Sequence, residues 1–149
     1  MDKKIQEQLS IMNHSIKEIM GIYRSAVSQT GISENEFWVW YTLITSDEAV
    51  RQQELVSMWS LSKQTIHSIV NRMVSKGQIS LEVDIKNKQK KVIRLTEEGK
   101  KFGESIVRPV LKAERRSFAK VDEKDRLAAI HFLQTYIQIV QKEIGLKED

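Results

Sequence analysis

The sequence predicts a mainly α-helical fold with one small β-hairpin. Apolar residues recur every three or four positions through most of the chain, as they do on amphipathic helices. Two short helical patterns are joined by a turn at residues 60–62, which is typical of a helix-turn-helix. Directly after them the apolar period changes from 3.6 to 2, which indicates paired strands.

The first helix is predicted from residue 3 to about residue 28, with its apolar residues on one stripe. The members of this stripe are Ile5, Leu9, Met12, Ile16, Ile19, Met20 and Tyr23. Ser33 and Glu36 have the spacing of a capping box, so a second helix is expected to begin there. Its predicted buried side carries Phe37, Trp40, Tyr41 and Ile44. A third helix is expected at residues 50–59, with Leu55, Val56 and Trp59 directed inward.

The fourth helix follows at once in the segment SKQTIHSIVNRMVSKG. Ser62 is a favoured N-cap residue, and Gly77 stands where a helix often ends in a left-handed residue. Its predicted buried face consists of Ile66, Ile69, Val70 and Met73.

A β-hairpin is predicted next. In its first strand the apolar residues Ile79, Leu81, Val83 and Ile85 alternate with polar ones. The segment KNKQKK, residues 86–91, is expected at the tip and return of the hairpin, with Asn87 taking the positive φ of a tight turn.

Two further helices complete the chain. Thr96 is a predicted N-cap, Pro109 predicts a kink or restart inside the fifth helix, and Asp122 is the predicted cap of the sixth. The apolar stripe of the sixth helix consists of Leu127, Ile130, Leu133, Ile137, Val140 and Ile144. One chain of this size cannot easily bury the long stripes at both ends, so we expect a homodimer formed by the terminal helices.

Composition excludes several classes of protein. The chain has 149 residues, 40% of them hydrophobic and none of them cysteine, so one compact domain without disulfides or thiolate metal sites is expected. No apolar run approaches the ~20 residues that span a bilayer, and the first residues lack a signal-peptide pattern, which predicts a cytoplasmic protein without a membrane partner. The three histidines lie on different helices, and no catalytic motif or phosphate loop occurs. We therefore expect no enzyme activity, metal or cofactor.

Charge is concentrated in one part of the chain. Residues 62–101 contain ten Lys or Arg and four Asp or Glu, whereas the rest contains fourteen against sixteen. A basic block within a nearly neutral protein favours a polyanionic partner. A lysine-rich hairpin edge that only maintains solubility is the alternative explanation.

The fourth helix places polar side chains on the side opposite its apolar stripe. Residues with the spacing to reach base edges in a major groove are Lys63, Gln64, His67, Ser68, Asn71 and Arg72. Ser62 and Thr65 at the helix start suit phosphate contacts. For Asn71 and Arg72 a solvated helix face explains the pattern equally well.

The ordered set of ELVSMWSLS, SKQTIHSIVNRMVSKG, the hairpin and RLTEEGK resembles the MarR (multiple antibiotic resistance regulator) family over nearly the whole chain. RLTEEGK resembles the family's Leu-Thr-Glu-x-Gly after the hairpin, or wing. The resemblance implies a winged helix-turn-helix lobe at residues 33–99, flanked by dimerisation helices at 1–30 and 100–149. It also implies a dimeric regulator, a repressor in this interpretation, that binds double-stranded DNA at a pseudo-palindromic operator.

The chain departs from the family at two places. The Asp and Arg that the family's wing commonly carries fall on Asn87 and Gln89, so the wing's positive charge is expected from Lys86, Lys88 and Lys90. Ser68 stands where many members carry Arg on the fourth helix. A winged helix that binds protein, without specific DNA binding, therefore remains the alternative function.

Regulation by a small molecule is a further implication of the resemblance. Family members often bind aromatic or acidic compounds between the dimerisation helices and the DNA-binding lobe. The candidate pocket residues are Met20, Tyr23, Trp38, Tyr41 and Phe102. Plain core packing is the alternative role for each of them.

Overall fold

A computed structural model describes residues 2–146 of the chain. It contains six helices and one antiparallel hairpin among these residues, in the order that the sequence predicts. The elements are α1 (Lys3–Ser28), α2 (Glu34–Thr45), α3 (Gln52–Trp59), α4 (Lys63–Ser75), β1 (Ile79–Asp84), β2 (Asn87–Leu95), α5 (Glu97–Ala119) and α6 (Glu123–Ile144). The predicted fold class, mainly α with a β-hairpin wing after a helix-turn-helix, is confirmed.

The chain divides into two compact units, and the boundary follows Val110 within α5. The first unit contains the hydrophobic core, to which the end of α1, the helices α2, α3 and α4, the hairpin and the first part of α5 contribute. Its fully buried large side chains are Trp40, Phe37, Leu55, Ile66, Met73, Val27, Val39, Val70 and Val107. All four residues of the predicted buried face of α4 belong to this core.

Local cap chemistry sets the ends of the helices in this unit. The Ser33 hydroxyl accepts a hydrogen bond from the Glu36 amide at 3.2 Å, so Ser33 begins α2 as predicted. Gly77 follows α4 with φ of +67°, the left-handed conformation that glycine adopts without steric cost. The α3–α4 turn contains Ser60 with φ of +49°, a left-handed conformation at the C-cap of α3.

The junction of the hairpin and α5 depends on Thr96 and Gly99. The Thr96 hydroxyl accepts from the Gly99 amide at 3.0 Å and donates to the Gly77 carbonyl oxygen at 2.7 Å. A Cβ atom built on Gly99 would lie only 1.7 Å from the carbonyl oxygen of Gln78. The segment LTEEG therefore joins α5 to the end of α4, and only glycine fits at its last position.

The hairpin corrects two expectations. The predicted alternation holds at Ile79, which is buried, but Val83 and Ile85 are exposed and Asp84 between them is buried. The core ends below this part of the hairpin, so no apolar surface covers Val83 and Ile85. The reversal occurs at residues 85–86 and Asn87 already belongs to β2; its φ is not positive, because the turn lies before it.

The second unit contains the end of α5 and α6. The α5 helix continues through Pro109, so the predicted restart does not occur there. Asp122 occupies the N-cap position of α6 but makes no side-chain cap bond. Instead Arg126 donates to the carbonyl oxygen of Val121 at 2.9 Å, and its guanidinium lies 5.6 Å from the centre of the Phe118 ring. These contacts connect the two helices around residue 121.

The long terminal helices bury little in the single chain. The only buried residue of α1 is Val27, and α6 has none. Large apolar side chains that are exposed on α1 are Ile5, Leu9, Ile11, Ile16, Ile19, Met20 and Ile22. Those exposed on α6 are Leu127, Ile130, Phe132, Leu133, Ile137, Ile139 and Ile144.

Candidate nucleic-acid interface

The outer side of α4 forms one continuous polar surface. Its buried side is anchored in the core, which fixes the direction of the remaining side chains. A shallow depression on the outer side is lined by Gln64, His67, Ser68, Asn71, Arg72 and Ser75. Lys63 is also exposed. The structure therefore brings the six predicted base-reading residues to one accessible helix face.

The start of α4 is held by a hydroxyl pair. Ser62 Oγ accepts from the Thr65 amide at 3.0 Å, and the two hydroxyl oxygens lie 2.8 Å apart. This N-cap fixes the first turn, where free backbone amides and the helix dipole favour a negative group. Ser62 and Thr65 thus have a defined structural role beside their predicted phosphate contacts.

Three polar side chains on the outer face already have partners within the chain. Asn71 Nδ2 lies 3.0 Å from His67 Nε2, one turn earlier. Arg72 Nη2 lies 3.7 Å from Glu36 Oε2, a carboxylate that is almost completely buried on α2. Because Arg72 compensates this buried charge, it has a structural role that Lys63 and Gln64 do not share.

The structure adds two residues that the sequence patterns did not identify. A second depression beside α4 is lined by Ser33, Asn35, Gln64, Thr65, Ser68, Ile69 and Arg72. Ser33 and Asn35 belong to the start of α2, so that end of α2 extends the polar surface. The capping signal at Ser33 marked a helix start, but only the packing of α2 on α4 places it here.

The α3–α4 pair encloses a third depression. It is lined by Gln52, Gln53, Val56, Lys63, Ile66 and His67. Gln52 and Gln53 lie in the first turn of α3, next to the first turns of α4. These two amide side chains are further candidates for phosphate contacts that the sequence patterns missed.

The wing presents its lysines on an irregular strand. In the register of the hairpin, Val83 pairs with Lys91 and Asp84 pairs with Asn87, so the three residues between Asn87 and Lys91 have no partner on β1. We call Lys88, Gln89 and Lys90 the lysine bulge. Asn87 Oδ1 accepts from the Gln89 amide at 3.1 Å, which supports this local conformation. All five predicted wing residues, 86–90, are exposed.

The wing lysines differ in their surroundings. Lys86 Nζ lies 3.6 Å from Glu48 Oε2, and both side chains are strongly exposed. Within residues 2–146, neither Lys88 nor Lys90 has a carboxylate within 4.0 Å. The lysine bulge therefore carries two positive charges without a neighbouring negative one.

The root of the wing is tied to the start of α3 by an ion pair between Arg51 and Asp84. Arg51 Nε donates to Asp84 Oδ2 at 2.9 Å, and Arg51 Nη2 contacts the same oxygen. The other carboxylate oxygen, Oδ1, accepts from the Lys86 amide at 2.9 Å. The hydrogen bond from Arg51, together with that from the Lys86 amide, lowers the pKa of Asp84 below its ordinary value. We call this arrangement the wing clamp.

A pH dependence follows from the direction of this shift. Because the pKa of Asp84 is lower in the folded chain, its contribution to stability is fully present above the ordinary carboxyl pKa of about 4 and is lost as pH falls through the lowered value. We therefore expect Asp84→Asn to lower the free energy of unfolding near neutral pH, with the difference from the wild type shrinking in acid. Urea denaturation across a pH series measures this difference.

A matched control is available on the same hairpin. Glu82 pairs with Arg94 at 3.5 Å, but both side chains are about half exposed. Exposed pairs of this kind contribute little, so Glu82→Gln is expected to have a much smaller effect. Equal effects of the two substitutions at neutral pH would contradict a special role for the wing clamp.

The predicted effector residues separate into different environments. Trp38 lies at the centre of an aromatic cluster, with ring centres 5.4 Å from Tyr23, 5.5 Å from Tyr41 and 4.8 Å from Trp59. Met20 is half exposed on α1. Phe102 instead packs on Trp40, with ring centres 5.2 Å apart. The structure thus brings together three of the five residues and adds Trp59, whose Nε1 donates to Thr42 Oγ1 at 2.8 Å.

Two kinds of feature do not occur among the described residues. Among residues 2–146, His, Asp and Glu side chains form no group of three that could hold a metal ion. None of the described helices is long and apolar enough to cross a membrane.

The structure is similar to solved MarR family regulators. NMB1585, a MarR family regulator from Neisseria meningitidis, is 24% identical, with 93% of this chain and 96% of that chain covered and a TM-score of 0.78. CouR from Rhodococcus jostii RHA1, solved with p-coumaroyl-CoA, is 20% identical, with 85% and 88% covered and a TM-score of 0.68. BldR, a transcriptional regulator from Sulfolobus solfataricus, is 18% identical, with 95% and 99% covered and a TM-score of 0.65.

These similarities establish the fold. The predicted resemblance is confirmed at that level, since the winged helix-turn-helix and the flanking helices align over nearly the full length of each chain. No protein-family model and no curated protein matches the sequence.

Proposed function

We propose that this chain is a sequence-specific regulator of transcription that belongs to the MarR family, binds double-stranded DNA as a homodimer and acts as a repressor. The observation that carries the proposal is the joint exposure of the polar face of α4 and the lysine bulge. A major-groove helix followed by a basic wing supplies both base readout and backbone contacts. The proposal includes no enzymatic reaction and a cytoplasmic location.

The roles within the interface follow from chemistry. The Gln64 amide can form a bidentate pair with adenine, and Lys63 can donate to guanine. His67, Ser68 and Asn71 extend the same face toward the end of the helix. Ser62, Thr65 and the wing residues 86–90 are assigned to the phosphate backbone, where they set position without reading sequence.

The dimer is supported by the surfaces of α1 and α6. A soluble monomer rarely exposes contiguous apolar patches as extensive as the stripes on these helices. Most of the stability of a helix in a protein comes from packing of its apolar face, and α6 buries none of its 22 residues in the single chain, so its stripe is expected to pack on a partner. A second copy of the chain satisfies both requirements and gives a two-fold symmetric DNA reader.

An effector is part of the proposal. The cluster of Tyr23, Trp38, Tyr41 and Trp59 is partly buried and offers flat aromatic surface to a small aromatic or acidic compound. The p-coumaroyl-CoA in the CouR structure shows that a protein of this fold holds an aromatic ligand. Binding beside α1 and α2 would change the positions of the two α4 helices of a dimer and so release DNA.

Selection of bound sites from a pool of random duplexes tests the proposal. We expect a pseudo-palindrome with half-sites about 10 base pairs apart, because two symmetric α4 helices enter successive major grooves on one side of the duplex. Sedimentation of the complex is expected to show two chains for each duplex. Gln64→Ala is expected to cost about 1–3 kcal/mol at particular base pairs in each half-site.

The control for Gln64→Ala is a scrambled duplex of the same length. The variant and the wild type are expected to bind it with equal affinity, because a base contact contributes only at its own site. Binding that selects no sequence and does not weaken with salt would contradict the proposal. Such a result would favour the alternative, a winged helix that binds protein.

A further inference from the structure

The turn of the wing carries an unusual side chain. Ile85 is 86% exposed, more than any other large apolar residue among residues 2–146. It stands at the reversal between β1 and β2, so it projects from the end of the hairpin and contributes nothing to the core. Exposure of a β-branched aliphatic residue has no stabilising role here, which suggests a contact outside the chain.

The position of Ile85 is closely restrained. The two residues that flank the turn, Asp84 and Asn87, pair across the hairpin. The Asp84 carboxylate also accepts a hydrogen bond from the Lys86 amide. The wing clamp then fixes that carboxylate to Arg51 at the start of α3. Ile85 is therefore presented by a supported turn, which lowers the entropy lost on contact with a partner.

The chemistry around Ile85 selects the kind of partner. Lys86 follows it directly, and Lys88 and Lys90 of the lysine bulge come next in the chain. An apolar protein pocket would not attract these charges, whereas the sugar-phosphate walls of a DNA groove offer both anionic oxygens and apolar deoxyribose carbons. Charge complementarity thus favours duplex DNA as the partner.

We propose that Ile85 enters the minor groove of duplex DNA and selects against G·C pairs there. This inference rests on the proposed function and adds a specificity determinant to it. The minor groove is about 6 Å wide and its floor carries the 2-amino group of guanine at G·C pairs only. Branched aliphatic side chains are among the apolar groups that proteins place in this groove. An isoleucine against that amino group would leave its donor without water or an acceptor, which is costly.

Inosine substitution tests this contact directly. Inosine lacks the 2-amino group but keeps the major-groove acceptors of guanine, so it changes the minor groove alone. In a fluorescent duplex obtained by selection, each guanine outside the α4 half-sites is replaced in turn by inosine. At the wing positions we expect the wild type to bind the inosine duplex about tenfold more tightly than the guanine duplex.

The variant Ile85→Ser is expected to lose most of this discrimination, because the serine hydroxyl can accept a hydrogen bond from the 2-amino group. Its affinity for the inosine duplex is expected to fall about three- to tenfold, while the slope of log K against log salt stays unchanged, since no charge is removed. Val83→Ser is the matched control. Val83 is exposed on the same hairpin but belongs to β1, two residues before Ile85.

Each outcome has a distinct meaning. Loss of discrimination in Ile85→Ser, with Val83→Ser behaving like the wild type, would support the inference. Equal inosine preference in the wild type and Ile85→Ser would overturn it and leave the proposed function intact. If the wild type shows no salt-dependent binding to any duplex, the proposed function itself fails. Circular dichroism and thermal melting of both variants check that the substitutions leave the fold unchanged.

Discussion

Replacing Lys88 and Lys90 together with alanine is expected to flatten the salt dependence of DNA binding by up to about 3.6 units in the slope of log K against log salt concentration. Each lysine that neutralises a phosphate releases condensed counterions and contributes about −0.9 to this slope. The two lysines of the bulge would make up to about four such contacts in a dimer. Their lack of carboxylate partners within residues 2–146 leaves both charges available to phosphate.

The measurement is a salt titration of wild type and variant on a selected duplex and a scrambled one. Between about 50 and 200 mM salt the wild type is expected to lose on the order of a hundredfold more affinity than the variant. The two substitutions should reduce the affinity for the selected and the scrambled duplex by nearly the same factor, because phosphate contacts carry no sequence information.

A variant with the same change in net charge controls for a general electrostatic effect. Lys3→Ala with Lys4→Ala removes two exposed lysines from the start of α1, outside the basic block of residues 62–101. We expect its slope to match the wild type. An unchanged slope in the Lys88 and Lys90 variant would show that the lysine bulge faces water when DNA is bound.

Replacing Gly99 with alanine is expected to destabilise the chain by about 3 kcal/mol or more. The added Cβ would lie 1.7 Å from the Gln78 carbonyl oxygen and 2.6 Å from the carbonyl carbon. These are backbone atoms, so no side-chain rotation can relieve the overlap. The start of α5 would have to move from the end of α4, which breaks the Thr96 hydrogen bonds at this junction. For a chain of this length, the melting temperature should fall by about 6–12 °C.

Gly21 provides the matched control for this substitution. It lies inside α1, and a Cβ built there meets no atom within 4 Å. Gly21→Ala is expected to stabilise the helix by about 0.5–1 kcal/mol, because alanine loses less backbone entropy than glycine on folding. The melting temperatures of Gly99→Ala and Gly21→Ala are compared with that of the wild type. A Gly99→Ala melting temperature within a degree of the wild type would mean that the junction adapts easily.

Helix positions and the buried face of α4 could be read directly from the sequence. Their signals are local: the 3.6-residue period at Ile66, Ile69, Val70 and Met73, the N-cap at Ser62 and the glycine at residue 77. Each depends on the backbone within a few residues, so it appears in the sequence pattern. The exposed face of α4 could be predicted from the same pattern, because exposed residues lie on the side of the helix opposite the buried stripe.

The wing was predicted only in part. Alternation of apolar residues predicted its strands, but it also placed Val83 and Ile85 on the buried side, where the structure has Asp84. The alternation rule assumes a surface that covers one face along the whole strand, and the core ends before residue 83. The sequence patterns did not predict the lysine bulge, because strand register depends on which residues pair across the hairpin and on where the turn forms.

Local patterns in the sequence were enough to predict the identity and order of the elements, the helix-turn-helix and the concentration of positive charge in residues 62–101. The tertiary structure alone decided which distant residues meet: Arg51 with Asp84 at the wing root, and Arg72 with Glu36 beside α4. The pairing partners stand 33 and 36 positions apart, far beyond the few residues over which propensity and periodicity act. Only the folded core brings them together, because burial of the apolar faces is what sets the distance between these helices and the hairpin.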